Sequence, residues 1–507
     1  ASWIWLSPLS PAFLSTELTK AYTYGARKIW VFNVGDIKPA EKELSFVMDL
    51  AWDIDRWPPT EAHNYIKYWA EKTFGPTLSQ DISNLMARYY RLQAGGKDAH
   101  VWFVDYTEQQ VAERLSEARS LEAEAELLAS RIPAHLQDAY FELISYPVRG
   151  AAMLNEYQLL ARRSMVCATR LDSLGAMADA NRVKQMFAEL NEWTRHYNEE
   201  IVDGKWREFF NWQPYHWFRS DKIDPPIASP ELIATAKQWP QPRFLSVADA
   251  TSCERAIIET EQDTDVPLWI EALTPIRNFS KAAEDNVFCR ITTEHQTFEA
   301  SATPINNVWH APYVGPMWNQ VGTLHLKKGI NHLAISEVKP DARIDRIFLG
   351  LYPPFGKEPR LRLPATAYHN KHDAGGAHAS RIEGLGYTDG VLVLPFSTPS
   401  YQHVADAPFV EYDLDIQPSD CTIEVRTLPT LHVYEGRDAR YAVQLGDEEP
   451  QVFSIHANDF TAEWRWNVLR GYATRSIQIP ATTRGRQRLR VYLLDPGIVL
   501  QEVLVVD

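Results

Sequence analysis

The sequence predicts a multidomain protein: the end of a β/α (TIM-type) barrel, then an all-α helical bundle, then two β-sandwich domains. The chain has 507 residues, and a single hydrophobic core stops growing at roughly 250–300 residues. Helical periodicity dominates the first part of the chain, and short alternating strands dominate the part after about residue 243. The expected domains are 1–76 (barrel), 77–220 (bundle), 240–355 (first sandwich) and 377–507 (second sandwich).

Residues 1–76 alternate between helix and strand. Helices are predicted from Phe13 to Tyr24, from Leu44 to Trp52 and from Thr60 to Phe74, and the apolar run Ile29–Phe32 predicts a fully buried parallel strand. Because a lone strand exposes both of its edges, the other strands of this barrel are expected to lie elsewhere.

Residues 77–210 carry apolar side chains at helical spacing throughout, with Pro133 and Gly175 as interruptions. Four to five helices packed as a bundle are therefore predicted. After about residue 243 the short β-rich runs indicate two sandwiches, joined by a linker at Pro353–Gly376.

One stretch of sequence recurs in the two sandwiches, and its two copies are called the echoed stretches. The stretch 329–349 aligns without a gap on 485–505, with Gly329 on Gly485 and Pro340 on Pro496. Alternating apolar residues, a turn with proline and a second apolar run predict the same hairpin at the end of each sandwich. Independent convergence on a common hairpin is the alternative account.

Charge and composition exclude several classes of partner. The net charge is −15 and no block of Lys and Arg is present, so no nucleic-acid partner is expected. An acidic polymer is also disfavoured, except where a local basic pocket captures one carboxylate. No apolar run reaches membrane-spanning length, so no membrane partner is expected.

No cofactor motif or metal centre is predicted. The sequence lacks a P-loop, G-x-G-x-x-G and G-x-S-x-G. The stretch "HNKHDAGGAH" brings together His369, His372, Asp373 and His378, but its Gly-rich context favours a solvated turn over a metal site. The four cysteines form no CxxC, and one disulfide, such as Cys253–Cys289, stays possible.

The stretch "FNVGD" places polar groups directly after the predicted strand. Asn33 offers a donor and an acceptor to sugar hydroxyls, and Asp36 can accept from hydroxyls or orient water. In a β/α barrel the reactive groups lie at this end of the strands. A helix N-cap at Asp36 accounts for the pattern equally well.

Three stretches quoted together carry a resemblance to a known family. "YGARKIWVFNVGDIKPAEKELSFVMDLAWD" (24–53), "AHLQDAYFELISYPVRGAAMLNEY" (134–157) and "IEGLGYTDGVLVLP" (382–395) closely resemble glycoside hydrolase family 115, the xylan α-glucuronidases. "YNEEIVDGKW" (197–206), "WRWNVLR" (464–470) and "LLDPGIVL" (493–500) extend it along the chain. The resemblance implies an inverting enzyme that removes (4-O-methyl-)glucuronic acid from glucuronoxylan or its oligosaccharides, commonly as a homodimer.

The resemblance also implies roles for particular residues. Asn33, Asp36 and Glu41 match the family's barrel motif and would bind and position substrate. "SWIWLSPLSP" stands where the family has a "KWINT"-like segment, which puts Trp5 at a position where an Asn is expected to touch substrate. The catalytic acid and base are expected upstream of Ala1, so that the chain alone would be incomplete for catalysis.

Three functions compete at this point. The first is the hydrolase; the second is a non-catalytic carbohydrate-binding or scaffolding protein; the third is a β/α enzyme of unrelated substrate. The apolar strands of "VYLLDPGIVLQEVLVVD" suggest a subunit contact through the last sandwich. The sequon at Asn278 and the family suggest an extracellular or periplasmic location.

Overall fold

A computed structural model gives the fold of the chain. It describes residues 5–34, 37–97, 101, 104–207, 226–252, 255–273, 287–302, 317–340, 342–417, 421–430, 438–458, 461–479 and 483–506. Three residues singled out above, Asp36, Cys253 and Asn278, lie outside the described residues.

The first half of the described chain is helical. Its α-helices are α1 (Pro11–Thr23), α2 (Glu41–Trp52), α3 (Tyr65–Phe74), α4 (Pro76–Ala94), α5 (Glu108–Ala129), α6 (Gln137–Tyr140), α7 (Tyr146–Thr169), α8 (Ser173–Glu199) and α9 (Pro230–Ala236). A π-helical segment, Phe141–Ser145, joins α6 to α7. Short 3₁₀ turns lie at Lys38–Ala40, Ala62–Asn64, Ala134–Leu136 and Ile201–Gly204.

Local sequence explains where these helices begin and end. The Ser10 hydroxyl accepts a hydrogen bond from the Phe13 amide and so caps α1, which has Pro11 in its first turn. Thr107 and Gln110 form a reciprocal capping box at the start of α5. These interactions satisfy amide groups that a helix terminus otherwise leaves without partners.

The predicted strand at Ile29–Phe32 is not formed, which corrects the sequence-based expectation. Residues 28–34 are irregular, and the side chains of Ile29 and Val31 are 79% and 89% exposed. A strand needs a hydrogen-bonded neighbour, and no described strand pairs with this segment. In the described part of residues 1–76 the secondary structure is helical, so the end of a barrel remains an expectation.

The helices share one hydrophobic core. Its members run from Trp5 and Leu6 through α2 to α9 and include Leu351, Tyr352 and Phe355 from the segment after the first sandwich. Large aromatic side chains fill it, because each ring buries much apolar area with few rotatable bonds. None of the helices in the described ranges is both long and apolar enough to cross a membrane.

The first sandwich consists of two antiparallel four-stranded sheets, in the orders β1-β8-β3-β6 and β2-β7-β4-β5. Its elements are β1 (Arg243–Leu245), α10 (Val247–Thr251), β2 (Ala256–Thr260), β3 (Thr264–Leu273), β4 (Val287–Thr292), β5 (Thr297–Ser301), β6 (Met317–Leu326), β7 (Gly329–Ser336) and β8 (Arg343–Leu349). The inward residues of both sheets form a second core.

The second sandwich has the sheet orders β10-β13-β18-β15-β16 and β11-β12-β19-β14-β17, with β9 also paired to β19. Its elements are β9 (Leu361–Pro364), β10 (Asn370–His372), β11 (Ser380–Ile382), β12 (Val391–Val393), β13 (Phe409–Ile416), β14 (Cys421–Thr427), β15 (Arg440–Leu445), β16 (Gln451–Ser454), α11 (Ala462–Arg470), β17 (Ala473–Ile479), β18 (Gly485–Leu493) and β19 (Val499–Val506). The linker predicted at Pro353–Gly376 therefore contains two strands of this sandwich.

The echoed stretches are not hairpins. In the first copy β7 and β8 belong to opposite sheets, and in the second copy β18 and β19 do the same. Each stretch therefore crosses from one sheet of its sandwich to the other. The hairpin prediction was wrong because an alternating pattern sets which residues face the core and leaves the partner strand open.

The apolar strand β19 has neighbours on both sides within the chain. It pairs with β14 along one edge, and with β12 and then β9 along the other. The expectation that this strand offers an apolar edge to a second subunit is therefore wrong, since both edges are already hydrogen-bonded.

Candidate functional site

The segment from Asn33 to Glu41 forms the candidate site. Asn33 is exposed in irregular backbone, and the chain then turns through Lys38–Ala40 into α2, whose first residue is Glu41. The N-cap positions of the 3₁₀ turn and of α2 are Ile37 and Ala40, and neither makes a side-chain capping bond. Asp36 itself lies outside the described residues.

Lys38 anchors this segment to the helical core. Its ammonium group lies 2.8 Å from the Glu142 carboxylate, contacts the Glu41 carboxylate, and sits 4.2 Å from the centre of the Trp206 ring. The Lys38 and Glu142 side chains are 15% and 6% exposed. The contact is thus a largely buried ion pair, which fixes the loop against the helix that follows α6.

The π-helical segment explains why Glu142 points inward. "FELIS" is an apolar run in which Glu142 is the one charged residue, and the extra residue per turn of a π-helix rotates the following side chains. The neighbouring carbonyl of Leu143 accepts a 2.9 Å hydrogen bond from the buried Lys42 ammonium. The turn before α2, through Lys38, and α2 itself, through Lys42, therefore both contact the same π-helical segment.

The electrostatics of the pair are asymmetric. Burial raises the pKa of the Glu142 carboxyl, and the hydrogen bond from Lys38 opposes that shift without cancelling it. For Lys38, burial lowers the pKa, but the hydrogen bonds to Glu142 and Glu41 outweigh it and the pKa is raised. The site therefore holds a carboxylate charge at some cost in stability, as functional sites often do.

Trp5 lies in the core instead of lining an open cleft. Its side chain is 5% exposed, its Nε1 donates a 3.0 Å hydrogen bond to the Tyr146 hydroxyl, and the two rings meet edge to face. Gly150 allows this packing, because a Cβ there would lie 2.9 Å from the indole ring. The indole offers no free face to a sugar in this structure.

The histidine-rich stretch has other partners. The His369 imidazole lies 3.0 Å from Glu411, and the His372 ring stacks on Phe409. Within the described residues no group of three His, Cys, Asp or Glu side chains could hold a metal ion. Cys167, Cys289 and Cys421 form no disulfide with one another, and the disulfide considered for Cys289 involves Cys253, which lies outside the described residues.

Sequence reasoning missed Lys38 and Glu142. Lys38 stands inside "NVGDIKPAE", three residues before Glu41, yet its partner is more than a hundred positions away. The available signal was the single carboxylate in the apolar run "FELIS", which predicts a buried charge and hence a cationic partner.

Comparisons with known proteins match both ends of the chain. Residues 1–100 match the family described as Glycosyl hydrolase family 115, and residues 361–507 match the Glycosyl hydrolase family 115 C-terminal domain. No curated protein sequence matches the chain.

A solved structure of a family GH115 enzyme shares the fold over the whole chain. It is BtGH115A, described as a family GH115 4-O-methyl-α-glucuronidase with specificity for decorated arabinogalactans. The match has a TM-score of 0.64 at 19% identity and covers 100% of this chain and 49% of that chain. The chain thus spans about half the length of this relative.

Two carbohydrate-binding modules match more weakly. They are the C-terminal family 6 module of LamC from Zobellia galactanivorans and a family 35 module from Clostridium thermocellum. Their identities are 14% and 12% and their TM-scores 0.20 and 0.21; each match covers 29% of this chain, and 98% and 99% of the module.

Both ends of the chain thus match models of one and the same family of glycoside hydrolases. That family is glycosyl hydrolase family 115, and the family resemblance carried by the sequence motifs is confirmed.

Proposed function

We propose that the protein removes (4-O-methyl-)glucuronic acid side groups from glucuronoxylan or its oligosaccharides, with inversion of configuration. The observation that carries the proposal is the anchored loop of the segment that matches family 115. Lys38 ties the loop to Glu142, while Asn33 stays exposed at its other end. The exposed Asn33 amide offers a donor and an acceptor to sugar hydroxyls.

The loop supplies positioning, and the proton-transferring carboxylates are other groups. Inverting hydrolysis needs two carboxyl groups roughly 6.5–9.5 Å apart. Glu41 and Glu142 both contact the single ammonium of Lys38, so their nearest oxygens lie closer together than that. Each is also ion-paired, which leaves neither poised as a general acid or base.

The test is release of the acid from the polymer. The full-length protein is incubated with glucuronoxylan, and with decorated arabinogalactan because that substrate is named for BtGH115A. Released uronic acid is followed by proton NMR, and the first-formed anomer is recorded. The β-anomer of 4-O-methylglucuronic acid appearing first from glucuronoxylan is the expected result; an α-anomer, or release from arabinogalactan alone, would refute the proposed mechanism or substrate.

A second candidate function is a non-catalytic carbohydrate-binding or scaffolding role. The observation that favours it is the segment at Ile29–Phe32, which forms no strand and leaves Ile29 and Val31 exposed. The described residues therefore provide no barrel strand beside Asn33, and a catalytic barrel would need one. Retention of the polymer with no released uronic acid at high protein concentration would favour this role over hydrolysis.

Two further proposals rest on the family resemblance. We propose that the protein acts as a homodimer and that it works in an extracellular or periplasmic space, where polysaccharide is available. Neither proposal depends on the edges of β19, which are paired within the chain.

A further inference from the structure

A cavity of about 400 Å³ lies between the helical region and the second sandwich. Its walls come from α4, α5, the segment around Tyr106, and the face of the sandwich that carries Tyr387 and Tyr472. Six arginines line it, against three acidic residues, in a chain whose net charge is −15. The arginines are Arg88, Arg91, Arg114, Arg362, Arg426 and Arg470.

Four of these arginines have carboxylate partners. The pairs are Arg88 with Glu117, Arg91 with Asp389, and both Arg362 and Arg426 with Glu502. Of the acidic lining residues, Asp105 is held by Arg162 and Arg346, and the exposed Glu113 accepts from Gln109. The pairing leaves two lining arginines, Arg114 and Arg470, to be accounted for.

Arg114 is held by neutral oxygens. Its Nη2 donates to the carbonyls of Leu92 and Gly96 at 3.0 and 3.3 Å and to the Asn155 Oδ1 at 2.6 Å. These carbonyls belong to the C-terminal end of α4, whose dipole compensates only part of a unit charge. No carboxylate among the described residues comes within 4.0 Å of this guanidinium.

Arg470, on the opposite wall of the cavity, is also held by neutral oxygens. Its Nε and Nη2 donate at 2.8 Å to the Tyr472 carbonyl and to the Asn467 Oδ1, and its guanidinium carbon lies 4.5 Å from the centre of the Tyr472 ring. Within the described residues it too has no carboxylate partner. Loss of hydration lowers the pKa of both Arg114 and Arg470, and for Arg470 the nearby Tyr472 and Glu424 oppose that shift without cancelling it.

The two walls are close together. A Cβ at Gly95 would lie 2.9 Å from an Arg114 nitrogen and 3.2 Å from the Tyr387 Cβ, and the rings of Tyr387 and Tyr472 are 6.3 Å apart. Arg114, the two tyrosines and Arg470 therefore form one continuous lining. An anion placed in the cavity would meet guanidinium groups from both the helical region and the sandwich.

We propose that this cavity binds the carboxylate of an acidic sugar, a uronic acid of one or two sugar units, at a site separate from the Asn33 loop. Arginine binds carboxylates through paired donors, and the cavity volume is in the range of small-molecule sites. The argument for an anion rests on Arg114 and Arg470, which have no carboxylate within 4.0 Å among the described residues. The choice of a uronic acid over another carboxylate rests on the proposed function.

A second cavity contains an arginine whose charge is balanced by a carboxylate. It has a volume of about 830 Å³ and contains Arg440, whose Nε lies 2.8 Å from the Asp495 carboxylate. The remaining lining is rich in hydroxyl groups, among them Thr23, Thr398 and Ser400. With its arginine already neutralised, this cavity has no need of an anion.

Calorimetric titration tests the proposal with matched ligands. The probes are methyl α-D-glucuronoside, methyl α-D-glucoside, which lacks only the carboxylate, and sodium sulfate as an inorganic anion. We expect the glucuronoside to bind with an affinity that falls as salt rises, and the glucoside to bind at least tenfold more weakly. Equal binding of the two sugars, or no binding of either, overturns the proposal. Sulfate binding as tightly as the glucuronoside overturns the assignment to a sugar acid.

Variants locate the binding. Arg470→Gln and Arg114→Gln should each weaken glucuronoside binding at least tenfold, and using two variants guards against one that fails to fold. The control is Arg91→Gln, which also lines the cavity but is paired with Asp389 and has a 41% exposed side chain; its affinity should stay within twofold.

The Asn33→Ala variant separates this site from the loop. Binding of the glucuronoside that survives Asn33→Ala and disappears in Arg470→Gln supports the proposal, even if the protein releases no uronic acid from any polymer. Binding that disappears in Asn33→Ala and survives in Arg470→Gln overturns it while leaving the proposed hydrolase function intact.

Discussion

The Lys38 ammonium and the Glu142 carboxylate are 2.8 Å apart, although the two residues are 104 positions apart along the chain. The contact joins the turn before α2 to the π-helical segment before α7. The described part of the segment before Lys38 has no strand partner, so the role proposed for Asn33 in sugar binding relies on contacts such as this one to hold the neighbouring turn.

The two members of this pair should respond differently to substitution. Lys38→Met leaves Glu142 buried without its cation and should lower the free energy of unfolding by about 3 kcal/mol. Glu142→Gln leaves Lys38 with Glu41 and the Trp206 ring, and should cost about 1 kcal/mol or less. Denaturant unfolding at neutral pH measures both. The exposed Lys72→Met is the control, and equal losses for the Lys38 and Glu142 variants would contradict the asymmetry.

The pH dependence of stability should carry the signature of Glu142. Burial raises the pKa of this carboxyl in the folded protein above its ordinary value of 4.5. Its contribution to stability is therefore complete below the unfolded pKa and is lost as the pH rises through the folded value. Compared with the wild type, Glu142→Gln should gain relative stability as the pH rises above the ordinary carboxyl pKa of 4.5. Urea unfolding across that range checks this, and a relative loss would reverse the assigned direction.

Asn33 should matter for turnover more than for folding. Its side chain is exposed in irregular backbone, so Asn33→Ala should change the free energy of unfolding by less than about 0.5 kcal/mol. Turnover of the full-length protein on glucuronoxylan should fall strongly, because a sugar hydroxyl loses its partner. Asp36→Ala should behave in the same way. A drop of many degrees in melting temperature with unchanged activity per folded molecule would assign these residues to the fold.

The two echoed stretches begin with equivalent glycines, Gly329 and Gly485. Gly329 and Gly485 have φ values of +103° and +72°, and a Cβ at either position would meet no atom within 4 Å. Alanine at each should therefore cost only backbone strain, about 1 kcal/mol in both sandwiches. Gly322→Ala is the contrast, since its Cβ would lie 2.7 Å from the Phe298 ring, and should cost more. Thermal unfolding that affects only one of the two sandwich variants would show that the copies are not equivalent.

The proposed homodimer is tested by sedimentation. We expect the protein to sediment as a dimer, with a surface other than β19 in contact, because both edges of β19 are paired within the chain. Removing residues 377–507 should lower activity. A monomer at all concentrations, with undiminished activity after that deletion, would remove the idea.

The parts of the fold that were predictable are the local ones. Helices close to α1, α2 and α3 follow from periodicity, capping residues and the stop at Gly25. At Ile29–Phe32 the apolar run predicted a strand that is not formed, because an apolar run becomes a strand only when another strand lies beside it. Sandwiches were recognised, but the sheet to which each strand belongs depends on distant partners.

The candidate site, like the fold, was only partly predictable from the sequence. Asn33, Glu41 and Trp5 were visible as residue types in a motif, and only the fold shows Asn33 exposed and Trp5 enclosed. The anchor between Lys38 and Glu142 needed the π-helical segment to be known, and irregular helical turns leave no regular period in a sequence. The arginine cavity is built from helices and a sandwich far apart in the chain, so composition alone gave no sign of where it lies.

The pairing of β9 with β19 has a consequence for how the protein is made. Residues 361–364 leave the ribosome long before residues 502–505, which are their hydrogen-bonded partners. Throughout that interval the early strands of the second sandwich have no complete sheet to join, and unpaired apolar strands associate with one another between molecules. Expression in a heterologous host should therefore respond to slower synthesis or added chaperones, with the gain appearing as soluble yield and with no change in the melting temperature of the purified protein.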